Sequence, residues 1–173
     1  GAYTSSMLFI TLGVSPWVGM LVGAAVAVLI SIVIGYPTFR LSGKYFVIAS
    51  IAFLSIMQVA LVNMDAVGGA AGLLIPMLPE SWKIMQFHSG KAPYYYIALG
   101  MLVLATAASA YVDRSKIGYY FRTIRESEEV AESLGIDTGK YKLYAAAISA
   151  FLCAIVGTLY AQYLLYIEPV TVV

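Results

Sequence analysis

Charge is what this sequence has least of. Only 11% of its 173 residues are Asp, Glu, Lys or Arg, against about 25% in a soluble domain. So few charges cannot keep a compact surface wetted, and a soluble globular domain is excluded. Cysteine is nearly absent too. Cys153 is the only one, so no disulfide forms within the chain and the redox compartment stays open. Nor is there an excess of basic charge: the net charge is +1, and no nucleic-acid partner is indicated. Catalytic sets are missing as well. No Ser/His/Asp set, no HExxH and no paired acids within apolar runs are legible, which argues against a membrane-embedded enzyme. His88 is a lone loop histidine without partner ligands, so no metal site is expected. A basic leader is lacking, and the chain opens on Gly1-Ala-Tyr-Thr4 and stops at Val170-Thr-Val-Val173. Both ends read as cut, and a piece of a longer protein is expected.

What is present is apolar length. Hydrophobic residues make up 61% of the chain and the mean hydropathy is +0.87. The runs are long and continuous, where barrel strands would alternate over about ten residues. The fold class expected is an all-α integral membrane protein: a polytopic helical bundle with a charged cytoplasmic loop. A bilayer core needs about 20 helical residues. Four spans fit, over 17–36, 45–63, 94–112 and 141–167, preceded by a partial helix over 3–14. Ser15-Pro16-Trp17 opens the first span with a capping residue, a first-turn proline and an interfacial indole. Pro37 is expected to end it. In the loop 64–93, Leu73–Leu78 is apolar but too short to cross, which suggests a re-entrant or interfacial turn.

Basic residues set the orientation. Arg40 and Lys44 lie in the loop 37–44, and Arg114, Lys116, Arg122, Arg125, Lys140 and Lys142 around 113–140. Loop 64–93 carries Lys83 and Lys91 against Asp65 and Glu80. The first two regions must share a side, and the bias makes it the cytoplasm, leaving 64–93 outside.

The loop 113–140 is the most informative stretch. Tyr120, Ile124, Ser127, Ala131 and Leu134 recur at helical spacing, predicting one helix with an apolar face. Arg122–Glu126 and Arg125–Glu129 could pair along it, each pair worth about 0.2–0.5 kcal/mol. Gly135 suits a left-handed residue past the helix end, and Asp137 or Thr138 suits the cap of the next helix. Periodicity alone leaves a lipid-surface helix or a solvated loop open. The cluster Glu126, Glu128, Glu129 and Glu132 would be repelled by anionic headgroups, which favours a protein partner.

Within the spans the signals are weaker. Ser149, Cys153, Gly157 and Ala161 form a small-residue stripe, and Gly19-x-x-x-Gly23 a second; both read as helix packing. Gly68-Gly69-x-x-Gly72 lacks the Lys-Ser/Thr of a phosphate loop. It reads as a flexible turn or as a broken-helix gate. Gln58 and Gln162 either face a pathway or bond to neighbouring helices. No span carries a charge beyond its end turns, unlike ion-coupled carriers.

Several segments together resemble a known family. Glu129-Val-Ala131 with Gly135 resembles the EAA loop of bacterial ATP-binding-cassette importer permeases. The run Arg125 to Asp137, then Tyr141-Lys-Leu143 and Ala147-Ile-Ser-Ala-Phe151, resembles the branched-chain amino-acid (LIV-type) subfamily. Gly1-Ala-Tyr-Thr4, Arg40-Leu-Ser-Gly-Lys-Tyr-Phe46 and Gly68-Gly-Ala-Ala-Gly-Leu73 fit it in the same order. Val130 departs from the motif's middle alanine, and the general continuation Ile-x-Leu-Pro is absent after Gly135.

The resemblance implies a permease subunit of the bacterial inner membrane that imports leucine, isoleucine and valine. Its implied partners are a second homologous permease subunit, cytoplasmic ATPase subunits that carry the ATP, a periplasmic substrate-binding protein and the lipid bilayer. No cofactor bound by this chain itself is implied. Arg125, Glu126, Glu129, Ala131 and Gly135 would form the ATPase-coupling segment. Gly68, Gly69, Gly72 and Gln58 are the pathway candidates. The same mechanism with urea or short-chain amides is an alternative, as is a non-transport membrane subunit docking a cytoplasmic partner.

Overall fold

The computed structural model describes residues 1–39, 41, 44–64, 68–69, 72–76, 84–87 and 90–167. Arg40, Asp65, Glu80, Trp82, Lys83 and His88 lie outside the described residues, as do parts of the glycine-rich stretch. The elements in chain order are α1 (Ala2–Leu12), α2 (Pro16–Thr38), α3 (Lys44–Val62), β1 (Leu73–Leu74), α4 (Ala92–Arg114), α5 (Lys116–Glu126), α6 (Glu128–Ser133), α7 (Thr138–Leu164) and β2 (Tyr166–Ile167). Helices α2, α3, α4 and α7 are long and apolar enough to cross a membrane. The protein is an all-α, multi-pass membrane protein.

Element ends follow local chemistry. Ser15 stands at the N-cap of α2, and Pro16, which has no N–H to lose, takes the first helical position. Pro37 does not end α2 as expected. It sits inside the last turn, and the helix runs on to Thr38. Helix α7 stops at Leu164, because Leu165 turns left-handed at φ 55°. Tyr166 and Ile167, read above as the end of the fourth span, instead pair antiparallel with Leu74 and Leu73. The apolar stretch after Gly72 is therefore strand at its start, and Ile75 N–H adds a bond to the Leu165 carbonyl at 2.9 Å.

The packed centre is α1, α2 and α7. At α1, Gly1 lies against Ala154 of α7, and Ala2 against Gly157. Gly23 faces the Gly1 carbonyl, and Gly19 faces Ser5. The two registers make α1 and α7 parallel and α2 antiparallel to both. Small residues allow these approaches, since lipid gives helices no hydrophobic reason to associate. The GxxxG on α2 therefore packs as expected. On α7 the buried stripe is Ala154, Thr158 and Ala161, with Gly157 beside it. Ser149 and Cys153 of the expected stripe are exposed. A straight i+4 row drifts around a helix of 3.6 residues per turn, so its early members rotate off the packed face.

At the end of the bundle near β1 and β2, Tyr94 ties three segments together. Its hydroxyl donates to the Met85 carbonyl at 2.9 Å and accepts from Phe87 N–H at 3.3 Å. Its ring meets Phe87 and Tyr163 edge-on, each at 5.4 Å. Helices α3 and α4 leave most of their apolar surface exposed. In water that area would be an aggregation liability. Facing lipid or further helices, it is expected.

Candidate functional site

The charged loop folds as a bracket at the opposite end of the bundle. Ser115 starts α5, its Oγ accepting from Gly118 N–H at 3.3 Å. Arg122 folds back on Asp113 at the end of α4, with Nε 3.0 Å from Oδ1. Tyr120 of α5 stacks obliquely on Tyr141 of α7, ring centroids 4.8 Å apart.

The single helix expected from periodicity is broken at Ser127. That residue is extended, at φ −159° and ψ 118°, and caps α6. Glu128 and Glu129 follow in the first turn, where the helix dipole favours negative charge. Ser followed by acidic residues is a helix-start signature, so the break was legible and the longer periodicity masked it. The break separates Arg125 from Glu129, and the expected Arg122–Glu126 pair does not form either. Arg122 takes Asp113 and Arg125 takes its neighbour Glu126, at 3.1 Å and well exposed. Glu129 belongs to another helix.

The end of α6 fits the expectation closely. Gly135 is left-handed at φ 80°. Its N–H bonds to the Glu132 carbonyl at 2.9 Å, and Ile136 N–H bonds to the Ala131 carbonyl at 3.1 Å. These two bonds form a Schellman motif. Asp137 then caps α7, its Oδ1 accepting from Lys140 N–H at 3.1 Å.

Two members of the acidic cluster that the sequence assigned to a partner instead fasten α6 to α7. Glu128 pairs with Lys142, and Glu132 accepts from Thr138 Oγ1 at 2.8 Å. The tie was invisible in sequence, because its partners are brought together only by the bend at Gly135. Of the motif residues, Ala131 is fully buried, whereas Val130 is 53% exposed. The departure at Val130 therefore meets open space. Glu129 is exposed, with no ion pair among the described residues. Leu134, expected on the apolar face, is also exposed. Between this bracket and the end of α2 lies an open groove of about 1000 Å³. Tyr36 and Phe39 line one side, with Glu129, Glu132 and Gly135 on the other.

Two expected outcomes test this joint. Lys142→Glu sets like charges together, and exchange of α6 amides with deuterium should rise roughly two- to fivefold, as loss of up to about 1 kcal/mol implies. Adding Glu128→Lys should reverse the rise. The second outcome concerns pH. The Lys140 ammonium first, and the Lys140 N–H second, hold the Asp137 carboxyl below the usual carboxylate range. A lowered pKa contributes stability that is complete above the ordinary carboxylate value and is lost as pH falls through the lowered one. The unfolding midpoint should therefore fall across that range, and Asp137→Asn should flatten this component.

A family model described as "Branched-chain amino acid transport system / permease component" matches residues 1–173. The chain belongs to this permease family. It is 26% identical, over 98% of its length, to the "High-affinity branched-chain amino acid transport system permease protein LivM" of Escherichia coli (strain K12). Identity to the protein of the same description from Salmonella typhimurium (strain LT2) is also 26%, over 98% of the chain. The chain spans 45% of the length of each of these relatives. No solved structure matches it.

The pathway candidates of this family member lie on two segments, the glycine stretch before β1 and α3. Gly68, Gly69 and Gly72 all have positive φ, at 82°, 51° and 75°. Gly72 lies against β2, where a side chain's first carbon would stand 2.6 Å from the Ile167 carbonyl oxygen. Gly72 is thus packed on the β1–β2 ribbon. Gln58 is half-buried on α3, whose Leu61 packs against the cluster of Ala2, Phe9 and Ala161. Gln162 is fully buried within that centre.

Proposed function

We propose that this chain is part of the transmembrane subunit of an ATP-driven importer of branched-chain amino acids. The single observation that carries the coupling role is the α6–α7 joint. A short helix is fastened to a long apolar helix by a left-handed glycine, an ion pair and a side-chain hydrogen bond. A push on α6 then moves α7, and through the small-residue contacts it moves α1 and α2. Rigid-body transmission of this kind suits alternating access driven from outside the membrane.

In this reading Glu129, Val130 and Leu134 face a cytoplasmic ATPase subunit, which carries the ATP. Arg125 and Glu126 flank that contact, Ala131 supports it from within, and Gly135 sets its angle. The basic-residue bias places this end in the cytoplasm and the β1–β2 ribbon outside the bacterial inner membrane. There a periplasmic binding protein would deliver the substrate to a pair of permease subunits. The substrate class is supported by the family and by the names of both relatives. The four spans carry no charge beyond their end turns, which fits an energy source on another subunit.

The test is uptake of radiolabelled leucine and urea in proteoliposomes by the whole permease with its ATPase and binding protein, with and without ATP. ATP-dependent leucine uptake is expected. Urea or a short-chain amide taken up instead keeps the mechanism and replaces the substrate. No ATP-dependent uptake, with α6 still binding a cytoplasmic partner, points to a docking subunit.

A further inference from the structure

Lipid offers no hydrogen bonds, so polar side chains buried in a membrane bundle are normally matched within it. Thr158 follows this rule, donating to the Ala154 carbonyl at 3.1 Å. Three other fully buried side chains of the packed centre do not. Ser5 Oγ, Ser6 Oγ and both ends of the Gln162 amide have no hydrogen-bond partner among the described residues.

Helix register puts them at one depth. Ala2 lies against Gly157, and α1 and α7 run the same way. At about 1.5 Å per residue, Ser6 stands about 6 Å beyond Ala2 and Gln162 about 7.5 Å beyond Gly157. Gly19 lies against Ser5, where its missing side chain lets the two backbones approach closely. Next to this level Phe9, Ala161, Ile75 and Ile167 form one buried apolar cluster. Ile75 and Ile167 come from the β1–β2 ribbon and its edge, so the ribbon closes over it.

We infer that Ser5, Ser6 and Gln162 form an occluded subsite for the ammonium and carboxylate of a small zwitterionic substrate. The Phe9–Ile75–Ile167 cluster takes the aliphatic part. This inference rests on the import reading and names where the ligand sits. The chemistry fits on three counts. The Gln162 amide brings two donors and an acceptor, and each serine hydroxyl serves as either. A zwitterion carries no net charge, so neutral partners suffice. A fixed charge here would stand unpaired whenever the site is empty, at far greater cost than an amide. Entry requires Ile75 and Ile167 of the ribbon to part from Phe9 of α1.

The test uses the whole permease with its ATPase and binding protein. Gln162→Leu removes an unmatched amide, so its unfolding midpoint should stay level or rise. Its leucine uptake should fall about tenfold or more, with Gln162→Asn in between. Wild-type uptake in Gln162→Leu, or a loss of uptake that tracks a lower midpoint, overturns the subsite. A second measurement does not depend on transport. In a Cys153→Ala background, Ser6→Cys should react with a small methanethiosulfonate reagent, and leucine should slow the reaction. If the wild type imports no leucine, the import reading falls and labelling alone decides. Modification slowed by leucine then upholds the subsite, whereas no modification, or modification indifferent to leucine, overturns it.

Discussion

Gly135→Val is expected to abolish most ATP-driven uptake while the protein still folds and inserts, and Gly135→Asn is expected to keep most of it. Nothing lies within 4 Å of where a side chain's first carbon would stand at Gly135. Steric fit therefore cannot explain a loss, and only backbone conformation can. At φ 80° an L-residue is strained by about 1–2 kcal/mol, and a β-branched one by more. Asparagine tolerates the left-handed region and occurs at such helix ends. Strain of that size shifts the bent joint against alternatives by roughly tenfold. The two Schellman bonds, the Lys142–Glu128 pair and the Thr138–Glu132 bond all depend on the bend. Once it opens, α6 no longer moves with α7. The readout is uptake per ATP hydrolysed in proteoliposomes. With the valine variant, the ATPase subunits of the proposed importer should hydrolyse ATP without transport or lose stimulated hydrolysis. Normal transport by Gly135→Val, or by Gly135→Val combined with Glu129→Arg, would remove α6 from the coupling role.

Gly23→Leu should cause the largest loss of stability. At Gly23 even the first side-chain carbon would stand 2.7 Å from the Gly1 carbonyl oxygen. The obstacle is backbone, so no rotamer change relieves it, and α1 and α2 must part. Overpacking of a close junction costs about 1–3 kcal/mol, sometimes more. The loss spreads, because Gly1 is also seated on Ala154 and the three helices share the contact. A lower unfolding midpoint in detergent and poor recovery of folded protein are the expected results. Gly100→Ala is the control. Gly100 sits in α4 with nothing within 4 Å, and alanine there should be neutral or slightly stabilising. A Gly23→Leu protein as stable as the control would mean that α1 does not seat on α2 as described.

The helical class and the apolar runs were legible because lipid demands long uncharged helices and tolerates little else. The bend at Gly135 and the cap at Asp137 were legible because helix ends are local events, governed by residues next to one another. Failures arose where a local signal competed with a longer one. The break at Ser127 was overruled by a periodicity that ran through it. Pro37 was read as a stop, yet it is accommodated in the last turn of α2. Tyr166 and Ile167 were read as helix because they are apolar, and their strand partner lies far away in the chain.

By itself the sequence determined the membrane class, the placement of charge and the family motif, all of which depend on composition or on neighbours a few residues apart. Only the tertiary structure decided which small residues meet and that Lys142 fastens Glu128. It also decided that the side chains of Ser5, Ser6 and Gln162 are buried at one level without partners among the described residues. Those facts depend on how α1, α2 and α7 are rotated and registered. In a chain that is apolar on nearly every face, no hydrophobic pattern marks which side of a helix turns inward. Close approach of backbones and the matching of polar groups set that rotation, and both exist only once the helices have packed.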